Sequence, residues 1–298
     1  MKVFCTGASG YIGGSVAAHL AAAGHQVTGL VRSPEKADAV RTRGIEPLSG
    51  TLDDAEILAQ AARAADVVIN AASADHTGAV DALLGALAGS GKPFIHTSGS
   101  SIIGTQSKGQ RSDAVFDEDT PFTPSPARAA RVALNELILS YRDKGCRPVI
   151  ICPSLIYGIG HGAGRDSVQV PFLIKLAKKR GNAAHAGPGE NIWSNVHIDD
   201  LVTLYALAIE KSPAGAFYFA ENGEDSMREV CEAINRMLGF AGPPSAMSME
   251  EAAAEWGEGT AENTMASNSR VRAVRARQLG WKPQARSLIE EIEEGCYR

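Results

Sequence analysis

The chain has 298 residues, of which 44% are hydrophobic and 21% are charged, a balance that allows a sizeable folded core. Its formal net charge of −5 argues against a general affinity for nucleic acid or an anionic membrane, since both require an excess of Lys and Arg. Five cysteines without CxxC spacing predict reduced thiols and no metal site, and no apolar run reaches the length of a membrane span. We therefore expect a cytoplasmic protein.

The first 150 residues alternate between two sequence patterns. Ala- and Leu-rich segments with helical spacing separate short runs of β-branched residues, which recur at 2–5, 26–31, 66–70, 93–97 and 148–152. Strands that alternate with helices predict right-handed βαβ units and a mostly parallel sheet. The sequence thus predicts an α/β fold with a Rossmann-type, doubly wound parallel sheet.

One helix is predicted with special clarity, over residues 127–144. Its apolar residues follow the spacing of a single helix face, at Ala130, Ala133, Leu134, Leu137, Ile138 and Tyr141. Arg128 and Arg131 lie beside this stripe, so a solvated helix face is one interpretation of their position.

The alternation loosens after residue 152. Helices are predicted at 168–180, 199–211, 227–238 and 287–294, and short strands near 194–196 and 216–219. This pattern suggests a smaller, discontinuous lobe that binds substrate. We expect the dinucleotide-binding domain to comprise residues 1–157 and 191–213, and the lobe to comprise residues 158–190 and 214–298.

The opening stretch VFCTGASGYIGG places Gly7, Gly10 and Gly13 between a predicted strand and a predicted helix. A dinucleotide site needs glycines there, for a tight turn, for close approach of the backbone to a pyrophosphate and for packing of helix on strand. The helix N-terminus then offers free N–H groups to the phosphates. The context favours a dinucleotide, and the alternative is a glycine turn without a ligand.

The end of the second predicted strand bears on the choice of cofactor. The sequence there is GLVRSPEK, with Arg32 and Ser33 in the position where an acidic residue would favour NAD. A guanidinium can pair with the 2′-phosphate of NADP. We expect a preference for NADP(H), with NAD(H) as the alternative if Arg32 is only a solvated charge.

Several motifs along the chain resemble those of the extended short-chain dehydrogenase/reductases, which include nucleotide-sugar epimerases and dihydroflavonol reductases. They are TGASGYIG, GTLDD at 50–54, NAAS at 70–73, HTSGSS at 96–101, CPSLIYGIG at 152–160, NVHIDDL at 195–201 and RARQLGWKP at 275–283. The resemblance implies the Rossmann fold, a nicotinamide cofactor and a homodimer formed through the catalytic helix. With the glycine turn, it predicts cofactor binding by Thr6, Gly7, Ser9, Gly10, Tyr11, Ile12, Gly13, Arg32, Ser33, Leu52, Asn70, Ala71, Ala72 and Pro153.

The resemblance fails at one place. The family carries a Tyr-xxx-Lys pair on the helix after the fifth strand, and here the two positions hold Arg128 and Val132, or Ala127 and Arg131 if the alignment shifts by one residue. The pair is absent in both alignments. The family's catalytic serine falls on a glycine, flanked by Ser98 and Ser100, either of which could take its place.

If the reaction needs a proton donor, another residue must replace the tyrosine. Arg128 or Arg131 cannot transfer a proton, although either could polarise a carbonyl or hold an anion. Tyr157 and His76 are candidate acids, as is His161, and each could equally be a packed or surface residue.

The sequence favours an NADP(H)-dependent reductase of a small C=O or C=N substrate. Reduction of an iminium needs a hydride but no proton on nitrogen, so a site without the tyrosine would suit C=N substrates such as imines. The first alternative is an epimerase or dehydratase that keeps NAD(P) bound. The second is a non-enzymatic sensor or scaffold that binds NADP(H). No partner other than a small molecule and a second copy of the chain is expected.

A basic run at 267–286 could in principle bind a phosphorylated ligand or nucleic acid. The acidic character of the whole chain favours instead a surface that faces acids elsewhere, such as those between Glu221 and Glu232.

Overall fold

The computed structural model describes residues 1–298, and strands and helices alternate through the first half as the sequence predicts. The strands are β1 (Lys2–Thr6), β2 (Gln26–Val31), β3 (Ile45–Ser49), β4 (Val67–Asn70), β5 (Pro93–Thr97), β6 (Thr105–Gln106), β7 (Arg147–Pro153), β8 (Leu155–Tyr157), β9 (Ala184–Ala186), β10 (Ile192–His197), β11 (Ala216–Ala220), β12 (Glu224–Ser226), β13 (Ser245–Met247) and β14 (Ser267–Asn268).

The helices flank these strands on both faces of the main sheet and build most of the second half. They are α1 (Tyr11–Ala22), α2 (Pro34–Arg41), α3 (Ala55–Ala64), α4 (Thr77–Leu87), α5 (Pro126–Ser140), α6 (Gln169–Arg180), α7 (Ile198–Lys211), α8 (Met227–Leu238), α9 (Met249–Trp256), α10 (Glu258–Thr260), α11 (Val274–Gln278) and α12 (Leu288–Glu294). No helix has the combination of length and hydropathy that a membrane span requires.

Seven parallel strands form the central sheet, in the order β3-β2-β1-β4-β5-β7-β11. The strand order reverses between β1 and β4, and ligands of open α/β sheets bind in the crevice outside the carboxyl ends at such a point. The predicted Rossmann-type sheet is confirmed.

Strand pairing crosses the predicted division into two units at two places. Strand β11 was assigned to the lobe, but it pairs with β7 at the edge of the central sheet, because Tyr218 and Phe219 bury their rings in the core under that sheet. Strands β8 and β10 were assigned to the dinucleotide-binding domain, but they form a separate three-stranded sheet with β12. Leu155 and Tyr157 of β8 pack in the core of the lobe, which explains the difference.

Helix α5 is present where predicted, and its buried face includes Leu134 and Ile138 of the predicted stripe but is rotated away from the rest of it. Leu134, Asn135 and Ile138 face the core, whereas Leu137 of the predicted stripe is exposed. Arg131, which lies one turn before Asn135, is therefore on the packed side of the helix and not on a solvated face.

The arginines of the C-terminal basic run face acids, as predicted. Glu224 pairs with both Arg270 and Arg272, and Glu221 pairs with Arg277 at 2.6 Å. These contacts hold the last part of the chain against the rest of the lobe.

Candidate active site

The glycine turn between β1 and α1 closes so tightly that side chains are excluded. Gly7 has φ = +75°, and a Cβ atom built on it would lie 2.7 Å from the backbone of Ala71. A Cβ on Gly13 would lie 2.6 Å from the carbonyl oxygen of Gly7. Gly10 is the N-cap of α1 and provides no side-chain cap, so the first N–H groups of the helix face the crevice unpaired. This is the backbone geometry that a pyrophosphate requires.

A cavity of about 430 Å³ extends from this turn along the carboxyl ends of β1, β2, β3 and β4. It is lined by Gly7, Ser9, Gly10, Leu30, Val31, Arg32, Thr51, Leu52, Asp53, Ala71, Ala72 and His76. The cavity thus joins the glycine turn to the end of β2, and its volume and lining fit the adenosine part of a dinucleotide. We call it the nucleotide cavity.

Arg32 is the cation of the nucleotide cavity. It is exposed and makes no ion pair within the chain. The neighbouring Ser33 caps α2 by accepting a hydrogen bond from the N–H of Lys36, at 3.4 Å. Arg32 is therefore free for a ligand, while the hydroxyl oxygen of Ser33 is partly engaged.

A chain of buried polar side chains lies at the carboxyl ends of β1, β4 and β5. The hydroxyl of Thr6 donates to Asn70 Oδ1 at 2.6 Å, and Asn70 Nδ2 donates to Nδ1 of His96 at 3.1 Å. His96 Nδ1 thus accepts, so Nε2 carries the proton, and this Nε2 is buried without a partner. Burial lowers the pKa of His96 to about 4, which keeps the ring neutral.

A second cavity, of about 450 Å³, lies between the start of α1, strand β8 and the N-terminus of α6. We call it the substrate cavity. It is lined by Tyr11, Ile12, Ala71, Ser154, Ile156, Ser167, Val168, Gln169, Phe172, Thr260 and Thr264. Ala71 lines both cavities, so a ligand that enters from the nucleotide cavity reaches the substrate cavity there. Of the remaining predicted cofactor residues, Gly13 packs under the turn and Pro153 ends β7 beside Ala220.

Arg131, which holds the lysine position in one of the two alignments, forms an ion pair with a loop of the neighbouring strand. Arg131 binds Asp75, in the loop after β4, with Nε at 2.7 Å from Oδ1 and Nη2 at 2.5 Å from Oδ2. The Arg131 side chain is only 16% exposed. Its hydrogen bonds lower the pKa of Asp75 below the ordinary value, so the carboxylate is a poor proton acceptor at neutral pH.

Arg128 lies one turn earlier on α5 and is half-buried, and its Nε atom is buried without a hydrogen-bond partner. Burial lowers the pKa of this guanidinium, followed by the nearby charge of Arg131. The two arginines thus share one carboxylate, Asp75, and the region carries an excess positive charge.

The two candidate serines differ in what they contact. Ser98 Oγ accepts a hydrogen bond from Asn135 Nδ2 at 3.0 Å, and its hydroxyl is also hydrogen-bonded to the buried thiol of Cys152. Ser100 is buried and its Oγ accepts a hydrogen bond from Ser269 at 2.8 Å, on the opposite side of the segment. Ser100 is thus tied to a distant segment of the chain, and its catalytic role stays a prediction.

Tyr157 and His76 are both held by hydrogen bonds within the chain. The Tyr157 side chain is buried in the lobe, where its hydroxyl donates to the carbonyl oxygen of Arg286 at 2.6 Å. Desolvation raises its pKa far above the ordinary value. His76 lies in the nucleotide cavity, with Nε2 at 3.1 Å from Asp53 Oδ1, and its Nδ1 caps α4 through the N–H of Ala79. Neither side chain lines the substrate cavity, and a catalytic role for either residue stays a prediction.

His161 is likewise engaged outside both cavities. Its Nε2 lies 2.5 Å from Oδ1 of Asp199, at the start of α7, and its backbone N–H donates to Ser15. His161 thus connects the loop after β8 to helices α1 and α7.

Sequence reasoning missed three residues of the site: Asp75, Asn135 and His96. Asp75 is next to His76 in a loop that follows a parallel strand. The loops at the carboxyl edge of such a sheet lie close together, so the sequence could have indicated that Asp75 lies near α5. Asn135 is four residues after Arg131, on the same helix face. His96 carried no signal, because a buried histidine on a strand resembles any core position.

Comparison with known proteins agrees with this geometry. Residues 3–218 match the model of the NAD dependent epimerase/dehydratase family. The chain is 33% identical to an uncharacterised protein of Saccharomyces cerevisiae, over 98% of each chain. It is 28% identical to a 4-hydroxy-2-methyl-3-oxo-4-farnesyl-3,4-dihydroquinoline-1-oxide ketoreductase of Stigmatella aurantiaca, over 75% of this chain and 69% of the relative.

Among solved structures, a dTDP-glucose 4,6-dehydratase of Bacillus anthracis in complex with NAD superimposes with a TM-score of 0.78. The alignment covers 99% of this chain and 95% of the dehydratase, at 17% identity. The similarity concerns the fold.

Proposed function

The chain belongs to the NAD dependent epimerase/dehydratase family of nicotinamide-dependent enzymes, and from this membership we propose that it is an NADP(H)-dependent reductase of a small C=O or C=N substrate. The observation that carries the proposal is that α5 lacks the tyrosine and lysine and that Arg131 on this helix is paired with Asp75. Transient oxidation of a substrate hydroxyl, as in an epimerase, needs a base to take its proton. A guanidinium has no basic site, and the paired carboxylate is a weak base.

The preference for NADPH is supported by Arg32. Its guanidinium is free in the nucleotide cavity, where the 2′-phosphate of NADP would offer it a charge-assisted hydrogen bond. Asp53 also lines this cavity and could accept from a ribose hydroxyl, but it faces His76. We infer that Arg32 decides the preference.

The chemistry that the bound reduced nicotinamide would supply is the donation of a hydride. Around it, Asn135 holds the Ser98 hydroxyl, which would donate to a substrate oxygen in exchange for its contact with Cys152. Arg131 holds the loop after β4 against α5 through Asp75, and Arg128 adds a positive charge that stabilises negative charge developing on a carbonyl oxygen. Asn135 and Asp75 are positioning residues in this scheme.

No side chain in this arrangement is an acid with a pKa near neutrality. A C=O substrate would therefore draw its proton from solvent through Ser98, whereas an iminium would require none. This difference is the reason for including C=N substrates in the proposal.

The test is to titrate purified protein with NADPH and NADH in parallel and then to mix the NADPH complex with a panel of ketones and cyclic iminium salts, following the loss of NADPH absorbance. Tight, exchangeable NADPH binding and turnover of a ketone or iminium are expected. Bound cofactor that does not exchange, with interconversion of nucleotide sugars, would overturn the proposal in favour of an epimerase. NADPH binding without turnover of any panel member would favour a sensor.

A further inference from the structure

The wall of the substrate cavity carries no formal charge. Its eleven residues are apolar, hydroxyl-bearing or amide side chains, together with Tyr11. A nucleotide diphosphate carries at least two negative charges, and proteins hold such groups with Arg or Lys, or at a helix N-terminus. The nearest cation in sequence, Arg165, is exposed and does not line the cavity.

Two helix N-termini meet this wall. That of α1, at Tyr11 and Ile12, would be occupied by the pyrophosphate of the cofactor, which leaves the first turn of α6. Its N-cap is Val168, which supplies no side-chain hydrogen bond to the turn. An anion could approach these N–H groups only past the hydrocarbon of Val168 and Phe172, since both residues line the mouth at this point. An anionic ligand is therefore included in the test below.

The rim of the cavity is apolar and uncovered. Val168 is 54% exposed and Phe172 is 44% exposed, and the two residues lie four apart, on one face at the start of α6. Single exposed apolar side chains are common on protein surfaces and need no explanation. Two adjacent ones at the mouth of a cavity of about 450 Å³ provide a surface for the hydrocarbon part of a ligand.

Neutral hydrogen-bonding groups lie deeper in the same cavity. Ser154 donates to the carbonyl oxygen of Ala220, and Ser167 pairs with Tyr297. Gln169, Thr260 and Thr264 have no side-chain partner within the chain. These three residues can bind one or two uncharged oxygen or nitrogen atoms, which fits a ligand with few polar groups.

We propose that the substrate cavity selects an uncharged substrate with an apolar part of several carbon atoms, which lies against Val168 and Phe172, and that it excludes nucleotide diphosphates. That the bound molecule is then reduced rests on the proposed function. The chemical class of the bound molecule rests on the cavity alone. Phe172 becomes the main specificity-determining residue.

The experiment measures binding of unreactive probes to the full chain by isothermal titration calorimetry, with and without saturating NADPH. The probes are 1-butanol, 1-hexanol and 1-octanol, with octanoate and UDP-glucose as anionic ligands. Affinity is expected to rise about fourfold for each methylene group added to the alcohol, the amount that burial of one CH2 provides. UDP-glucose and octanoate are expected to bind more weakly than 1-octanol.

The variant Phe172→Ser should weaken 1-octanol binding about tenfold, since it removes most of the apolar contact. Phe122→Ser is the matched control, because Phe122 is also a partly exposed phenylalanine, at 36%, but lies outside the cavity. Thermal melting of both variants verifies that they are folded.

Tighter binding of UDP-glucose or octanoate than of 1-octanol, an unchanged affinity in Phe172→Ser, or no binding of any alcohol would overturn the inference. Hydride transfer is not needed for any of these readouts. If the alcohols bind as expected but NADPH reduces no ketone or iminium, the proposed function fails while the inference stands.

Discussion

The nucleotide cavity and the substrate cavity are nearly equal in volume and meet at Ala71, but they differ in the charge of their walls. The nucleotide cavity contains Arg32, Asp53 and His76, whereas the substrate cavity contains no ionisable group other than the phenol of Tyr11. Charge is thus concentrated where a phosphate-bearing cofactor would bind. In the substrate cavity, a ligand would meet mainly apolar side chains and uncharged hydrogen-bonding groups.

The lobe itself is not poor in charge. Its arginines are used to hold the C-terminal segment, since Arg270, Arg272 and Arg277 pair with Glu221 and Glu224. Hydrogen bonds from Arg270 and then Arg272 lower the pKa of Glu224 to about 2. These charges stabilise the fold, and they are not available to a substrate.

The largest effect is expected at the glycine turn. Gly13→Val places side-chain atoms within the space taken by the Gly7 carbonyl, so NADPH affinity should fall more than about a hundredfold, as the turn can no longer form around a pyrophosphate. Fluorescence titration measures the loss. Gly85→Val, at an exposed position of α4 with no atom within 4 Å of an added Cβ, is the control and should bind normally.

The charge of the nucleotide cavity is tested by Arg32→Ala. Loss of a charge-assisted hydrogen bond should weaken NADPH binding about tenfold to a hundredfold and leave NADH binding nearly unchanged. Arg43→Ala, which removes an exposed arginine after α2, is the matched control. Equal losses for the two cofactors would mean that Arg32 does not contact the 2′-phosphate.

The ion pair of Arg131 with Asp75 should affect turnover more than binding. Asp75→Asn and Arg131→Met are each expected to lower kcat about tenfold, and the double variant should lose little more, since the two residues act as one unit. Arg131→Lys keeps the positive charge but loses the bidentate contact with Asp75, so its kcat should lie between those of Arg131→Met and the wild type. A purely structural pair would instead lower Tm and leave kcat unchanged, which steady-state kinetics and thermal melting distinguish.

The smallest effect is expected on the pH dependence of folding stability, through His96 in the buried chain of polar side chains. The native pKa of His96 is about 4, against an ordinary value of 6.5. Between these pH values the unfolded chain binds a proton that the native chain does not, so stability falls as pH falls through this window. His96→Gln should reduce that fall by a few degrees in Tm between pH 6.5 and pH 4. An identical pH dependence in the two proteins would show that His96 does not contribute.

The glycine turn and the residues around it could be predicted from sequence, because they depend on local rules. A turn with positive φ, a helix that starts at its end and a parallel strand that follows are all encoded within about thirty residues. The spacing of Arg32 from the turn is set by the same unit. For this reason most of the predicted cofactor residues lie together in one crevice.

The contacts of the candidate catalytic residues were predicted less well than the glycine turn, and the differences have a common cause. Tyr157 is bound to the backbone of Arg286, 129 residues later, and Ser100 to Ser269, 169 residues later. His76 was expected near the reacting atoms, but the turn after β4 directs it to the nucleotide cavity. Residue type and local pattern were compatible with catalysis in each case, and only the position of a distant segment set these contacts.

The sequence by itself therefore determined the order of strands and helices, the Rossmann-type sheet and the nucleotide end of the crevice, because periodicity and turn chemistry act over short distances. The tertiary structure alone decided that Arg131 pairs with Asp75 across 56 residues, that β11 completes the central sheet and that the substrate cavity has an uncharged wall. These properties arise from packing between segments far apart in the chain, whose relative positions no local pattern specifies.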